Sequence, residues 1–141
     1  MSMRKYRTRI RPIHEKDLID RGDREHPYTP LTILNLEAGL PDVNEARSRL
    51  RRGLDACRRE GRRIVKVIHG YGSTGVGGRL REALRGSLYQ RKREGAIRDF
   101  IIGEEFHDFC PTTVSWVQQC PVLARDYDFE RANKGITIIL L

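Results

Sequence analysis

The sequence predicts an α/β fold, a two-layer sandwich in the order β-α-β-α-β-β, with two helices on a four-stranded mixed sheet. Four short apolar runs, at residues 31–36, 64–68, 96–102 and 135–141, are typical of strands. Two amphipathic segments separate the first three runs, and helices that connect strands in this way imply parallel pairing with right-handed crossovers. The length of 141 residues is enough for one domain with its own core.

A basic extension, residues 1–29, precedes the first predicted strand. Five of its first eleven residues are Arg or Lys, and prolines interrupt regular structure in it. A flexible arm and an arm packed across the domain are both compatible with this composition. The domain itself is expected over residues 30–141, with an insertion at about 103–134 in which TTVSWVQQC favours a short helix.

The first predicted strand, LTILNL, brings two polar residues to one face. In a strand, alternate side chains point to opposite faces, so Asn35 and Glu37 share one face while Leu34 and Leu36 share the other. The second strand, IVKVI, is almost continuously apolar, as is typical of a central strand that is covered on both faces.

Both predicted helices carry an apolar stripe. Asp42 or Asn44 can cap the first helix, which Gly61 ends, and the second helix ends near Arg93, before Gly95. The two stripes consist of Ala46, Leu50, Leu54 and Cys57 in the first helix and of Leu80, Ala83, Leu84 and Leu88 in the second.

The positive charge of the chain is concentrated in two segments. The net charge is +8, with eight arginines in residues 45–63 and seven Arg or Lys in residues 79–98. Residues 104–141 carry three basic and six acidic side chains. Because the two basic segments are the predicted helices, the charge can form a patch, and a polyanion is the expected partner.

Composition also bears on compartment, membrane and metal. No run of 18 apolar residues occurs, and the basic N-terminus has no apolar signal segment, so no membrane partner is expected. The odd number of cysteines, with no CxxC, favours a reduced, cytoplasmic compartment. His107, Cys110 and Cys120 match no common zinc spacing, and no metal site is assigned.

A glycine-rich stretch follows the second strand and leads into the second helix. Five glycines lie within residues 70–78, and no long side chain follows Tyr71 until Arg79. Glycines let backbone amides approach an anion closely, and a helix N-terminus adds free N–H groups and partial positive charge. The carboxyl edge of a parallel sheet is also where ligands bind in such folds. The stretch therefore predicts a phosphate site, although a turn that needs positive φ would also select glycine.

The phosphate is more consistent with a nucleic-acid backbone than with a nucleotide. Residues 70–75 fit GxGxxG, but a dinucleotide site needs an acidic residue near the end of the next strand, about 20 residues later. Here that distance falls in QRKRE, inside or just after the second helix. No GK[ST] follows, which excludes a P-loop. Arginines on both neighbouring helices suit a sugar–phosphate chain instead.

These residues resemble the Smr domain, the small MutS-related module. His69-Gly70-Tyr71-Gly72 matches the HGxG motif of the family, after a short apolar strand and before a helix rich in Leu and Arg. The terminal GITIILL is similar to the closing strand of the family. The resemblance covers residues 31–102 and 135–141. It implies a two-layer α/β fold like that of the C-terminal domain of a translation initiation factor, nucleic-acid binding and, in many members, endonuclease activity on DNA or RNA.

The first motif of the family, LDxHG, is altered in this chain. Leu34-Asn35-Leu36-Glu37-Ala38-Gly39 has Asn35 at the aspartate position, Glu37 at the histidine position and Ala38 as an extra residue. Asn35 cannot act as a carboxylate base. Glu37 could act as one or hold a divalent metal ion, and His69 could serve as acid, base or phosphate donor, or only order the turn.

Three functions follow as alternatives: a nucleic-acid-binding endonuclease, a non-catalytic nucleic-acid-binding module, and a protein adaptor that uses residues 103–134. The candidate catalytic residues are His69, Glu37 and Asn35. The candidate nucleic-acid-binding residues are Gly70, Tyr71, Gly72, Ser73, Thr74, Gly75, Gly77, Gly78, Arg79 and Arg81.

Overall fold

The structure is a computed structural model that describes residues 9–11, 30–39, 41–70 and 76–141. Its sheet consists of β1 (Arg9–Arg11), β2 (Thr32–Asn35), β3 (Ile64–Ile68), β4 (Asp99–Ile102) and β5 (Ile136–Leu140). The strand order is β1-β2-β3-β5-β4. β2 and β3 pair in parallel, and all other neighbours pair antiparallel.

The α/β fold and the four expected strands are confirmed, and the structure adds β1 at one edge of the sheet. Sequence reasoning missed this strand for a physical reason. Arg9–Arg11 is a three-residue segment between arginines and close to a proline, so it has no apolar periodicity. Its pairing with Thr32–Asn35 comes from an edge that is already formed, because β2 offers free backbone groups on that side.

Three α-helices accompany the sheet in the described part of the chain: α1 (Val43–Arg59), α2 (Val76–Arg93) and α3 (Pro111–Gln119). Two short 3-10 turns flank α3. The Asp42 Oδ1 atom accepts a hydrogen bond of 2.7 Å from the Glu45 amide, so Asp42 is the N-cap of α1. The helix α2 begins earlier than expected, so Gly77 and Gly78 belong to its first turn and not to the preceding loop.

The helices α1 and α2 cover one face of the sheet. The expected stripes, except the half-buried Ala83, provide the core, and Val65, Val67 and Ile139 of the sheet pack against them. Gly53 allows α1 to lie close to the sheet, because a Cβ atom there would come within 2.6 Å of the Leu34 side chain. A fully buried aliphatic layer of this kind is the main source of stability for the helices.

Residues 103–134 cover the opposite face, so the sheet is buried on both sides. Phe106, Trp116 and Leu123 of this segment pack against Ile101 and Ile138 of the sheet. The insertion therefore lies across the face that α1 and α2 leave open.

A buried charged cluster joins this segment to β3. The Lys66 Nζ atom lies 2.9 Å from the Asp126 Oδ2 atom and 2.5 Å from the Asp128 Oδ2 atom. The Asn133 amide group donates a hydrogen bond to Asp128, and the backbone N–H of Asp128 donates one to Asp126. Lys66 thus interrupts the apolar run of β3 in order to hold the insertion.

Candidate nucleic-acid interface

The parallel pairing of β2 and β3 brings the altered first motif next to the HGxG motif. Asn35 is opposite Ile68 in the register, and the Leu36 amide donates a hydrogen bond of 2.8 Å to the Ile68 carbonyl. Glu37 and His69 therefore follow neighbouring strands at the same sheet edge. The order β-α-β alone predicted this placement.

His69 lies inside this edge and is only 2 % exposed. Its Nδ1 atom is 2.8 Å from the Gly70 carbonyl oxygen, and its Nε2 atom is 3.0 Å from the Thr137 Oγ1 atom. Because a carbonyl oxygen only accepts, Nδ1 carries the proton, and Nε2 accepts from the Thr137 hydroxyl. Burial lowers the pKa of His69 from 6.5 to about 4, so the imidazole is neutral at pH 7 with both nitrogens engaged.

The backbone conformation of Gly70 favours glycine, and this residue lies against Glu37. Its φ is +78°, a region that L-residues rarely adopt, and a Cβ atom would lie 2.7 Å from the Glu37 Oε2 atom. The Glu37 carboxylate is therefore packed against the Gly70 backbone, while most of Glu37 is exposed. Of the three candidate catalytic residues, Glu37 is the most accessible.

Asn35 has a local structural task. Its Oδ1 atom accepts a hydrogen bond of 2.8 Å from the Glu37 amide, which closes an Asx turn. Arg49 of α1 supports the same turn from below, since its guanidinium group donates a 2.6 Å hydrogen bond to the Ala38 carbonyl oxygen. Arg49 is buried, so this arginine of the basic segment does not belong to the charged surface.

The first half of α2 supplies arginines at this edge. Arg79 is exposed, and Arg81 and Arg85 are half-buried. The positive charges of Arg85 and Arg81 add to the lowering of the His69 pKa that burial causes. An Arg85 Nη2 atom lies 2.5 Å from the Glu104 Oε1 atom. Burial opposes ionisation of Glu104, but this hydrogen bond prevails and holds its pKa below the ordinary value.

The central part of the predicted phosphate site cannot be compared with the structure. Tyr71, Gly72, Ser73, Thr74 and Gly75 lie outside the described residues. The flanking predictions, Gly70 and the first turn of α2 with Gly77 and Gly78, lie where the strand ends and the helix begins. These positions agree with the strand–loop–helix arrangement on which the phosphate interpretation depends.

Sequence reasoning missed three side chains of this edge, namely Arg85, Glu104 and Thr137. Arg85 follows Arg81 by four residues, so helical spacing alone puts the two on one face. Glu104 follows β4, which runs in the same direction as β3 and ends at the same edge. The contact of Thr137 with His69 had no local signal, because it depends on β5 pairing directly with β3.

The surface of the helix layer is strongly basic. α1 and α2 together contain twelve basic residues, of which Arg49 is buried, and three acidic residues. Residues 103–134 contain three basic and six acidic residues. Within the described ranges, no three His, Cys, Asp or Glu side chains are placed to hold a metal ion together. The described helices also include none with the length and apolar character that crossing a membrane requires.

Comparison with known proteins gives one match, and it lies in this region. No curated protein and no solved structure shows significant similarity to the chain. The family model of the Smr domain matches residues 39–104, which include the turn after β2, α1, β3, the HGxG motif, α2 and β4. The motif and the fold around it agree with this match, so over these residues the chain is similar to the Smr domain.

Proposed function

We propose that this protein binds nucleic acid through its helix layer and the adjoining glycine-rich edge, without using His69 as a catalytic acid or base. One observation carries the proposal: twelve basic and three acidic residues lie on the two helices that the Smr domain match includes. Arginine guanidinium groups bind phosphate oxygens in pairs of hydrogen bonds, and such contacts supply most of the affinity for a polyanion.

His69 is better suited to position the turn than to transfer protons. A general acid or base must reach the substrate, but His69 is buried and both of its ring nitrogens bond within the chain. Its hydrogen bond to Gly70 and the backbone bonds of His69 and Gly70 to Gly135 fix the start of the glycine-rich stretch. The histidine thus prepares the backbone that a phosphate would meet.

An endonuclease is the second candidate, and the position of Glu37 favours it. This carboxylate is at the surface and lies against Gly70, where the expected phosphate site begins. It could activate a water molecule or take part in binding a divalent ion.

An adaptor role is favoured by Phe109, which is 91 % exposed on residues 103–134.

A binding and cleavage assay distinguishes these functions. Labelled single-stranded DNA, single-stranded RNA and duplex would be titrated at several salt concentrations, and cleavage would be measured with and without Mg²⁺ or Mn²⁺. We expect binding whose logarithmic salt slope is about 0.7 to 0.9 for each phosphate contacted, with no cleavage. Absence of binding to every probe would exclude the proposal and favour the adaptor.

Substitutions then separate binding from catalysis. Cleavage that Glu37→Gln abolishes, while His69→Gln retains it in a folded protein, would establish the second candidate. Gly70→Ala tests the start of the phosphate site without a change of charge. The added methyl group meets the Glu37 carboxylate, and alanine at this position has a strained φ. If the phosphate site begins at Gly70, this variant binds nucleic acid more weakly even though its charge is unchanged.

A further inference from the structure

The outer surface of the helix layer contains a shallow groove of about 440 Å³ between α1 and α2. Arg47 and Arg51 line it from α1, and Gly86, Gln90, Arg91 and Glu94 line it from α2 and the turn that follows. The groove is on the side of the helices that faces away from the sheet, and it does not include the glycine-rich edge.

The three guanidinium groups of this groove are not neutralised by an ion pair with a described residue. Arg47, Arg51 and Arg91 form no ion pair and no side-chain hydrogen bond with another described residue. Glu94 is the one acidic residue in the lining, and its Oε2 atom accepts a 2.7 Å hydrogen bond from Gln90. Three like charges that converge without a protein partner are suited to an anion with several charges.

Gly86 leaves the wall of the groove open. A Cβ atom at this position would meet nothing within 4 Å, although a glycine inside a helix costs about 0.5 to 1 kcal/mol of stability relative to alanine. The missing side chain lets a ligand approach the backbone of α2 between the arginines. Groove shape and charge therefore coincide on one set of residues.

We propose that this groove is a second contact site for the nucleic-acid backbone, which holds consecutive phosphates by Arg47, Arg51 and Arg91. The inference rests on the proposed nucleic-acid binding and assigns three of its phosphate contacts to the groove. Arg79 and Arg91 are twelve residues apart in α2, which corresponds to about 18 Å along the helix or roughly five base-pair steps. One bound strand can therefore reach both the glycine-rich edge and the groove.

A charge-matched pair of triple variants tests this assignment. The groove variant combines Arg47→Gln, Arg51→Gln and Arg91→Gln. The control combines Arg59→Gln, Arg63→Gln and Arg98→Gln, which removes the same charge from exposed positions outside the groove. Binding of a labelled single-stranded RNA and of the matching DNA, each of about 20 nucleotides so that it spans both sites, would be measured against salt concentration.

The groove variant should bind at least about tenfold more weakly near physiological salt, and its logarithmic salt slope should fall by about 2, since each single-strand phosphate contact contributes about 0.7. The control should lose less than about threefold, as expected for a general charge effect. Gly86→Gln should also weaken binding at unchanged charge, because its side chain fills the groove.

The outcomes separate the two proposals. If the wild type binds and both triple variants weaken binding equally, or neither does, the groove assignment is wrong while nucleic-acid binding stands. If the wild type binds no probe, both proposals are wrong. Circular dichroism of each variant shows that the comparison is made between folded proteins.

Discussion

The two faces of the sheet are buried in different ways. On one face, α1 and α2 lay regular aliphatic stripes on β2, β3 and β5. On the other, residues 103–134 use aromatic side chains, short turns and the buried charged cluster around Lys66. The regular cover leaves its outer surface available for a row of arginines, whereas the irregular cover depends on a few specific contacts. Binding is therefore expected on the helix layer. Single substitutions in the insertion are expected to affect the stability of the fold most.

The largest effect is expected at Lys66. Lys66→Met leaves the carboxylates of Asp126 and Asp128 buried without their cation, and breaking such a pair costs about 3 to 5 kcal/mol. Urea unfolding would measure the free energy of unfolding. Combining Lys66→Met with Asp126→Asn and Asp128→Asn should recover most of the loss. A single variant as stable as the wild type would contradict the role of the cluster in holding the insertion.

A second large effect is expected where the insertion begins. A Cβ atom at Gly103 would lie 1.8 Å from the Asn133 carbonyl oxygen and 2.9 Å from that of Ile136. Because both obstacles are backbone atoms, Gly103→Ala should destabilise the protein by about 3 kcal/mol, as overpacking does. Thermal unfolding checks this value. Unchanged stability of Gly103→Ala would mean that the insertion shifts easily, and it would contradict the proposed difference between the two faces.

The helix face should respond to pH through His69. The pKa of His69 is about 4 in the folded protein, below the ordinary 6.5 that applies after unfolding. The unfolded chain therefore binds this proton more tightly, and up to about 3 kcal/mol of stability is lost as the pH falls from about 6.5 to about 4. At pH 7 this contribution is fully present.

The measurement is the free energy of unfolding against pH for the wild type and for His69→Gln. The amide side chain can still donate and accept hydrogen bonds but does not titrate, so the curve of the variant should be flatter between pH 4 and 6.5. Parallel curves would show that His69 is not buried in its neutral form, and they would restore it as a candidate acid or base.

The smallest effect is expected on the surface of α2. Gly86→Ala adds a methyl group where nothing lies within 4 Å, so the helix should gain about 0.5 to 1 kcal/mol. Thermal unfolding of this variant and of Gly103→Ala compares the same substitution on the two faces of the sheet. Stabilisation by Gly86→Ala and destabilisation by Gly103→Ala would support the contrast between the two faces. Destabilisation by Gly86→Ala would contradict it.

Periodicity in the sequence was sufficient for the helix face and insufficient for the other one. The stripes of α1 and α2 and the four strands follow from apolar spacing, and the parallel crossover places Glu37 beside His69. Lys66 looked like an interruption of an apolar strand, because its partners lie 60 and 62 residues later. Long-range pairing of charges leaves no periodic trace in the sequence.

The candidate site shows the same limit. Gly70 and Arg81 were predicted as candidate binding residues from the motif and the helix, because the relevant spacing is local. The neutral, fully bonded state of His69 was not accessible to sequence reasoning, since it requires the Thr137 hydroxyl of a strand 68 residues away. Likewise, Arg49 is buried because it lies on the side of α1 that faces the turn after β2. Arg47 and Arg51 lie on another side of the helix and are exposed.

The position of β5 between β3 and β4 has a consequence for synthesis on the ribosome. This interior strand is translated after every other described strand. β4 and the insertion are therefore synthesised before β5, the strand that joins β4 to β3. Nascent chains at this stage expose an apolar edge, and folding of the second half has to wait for residues 136–140. Chaperone contact during elongation is expected to concentrate in that interval.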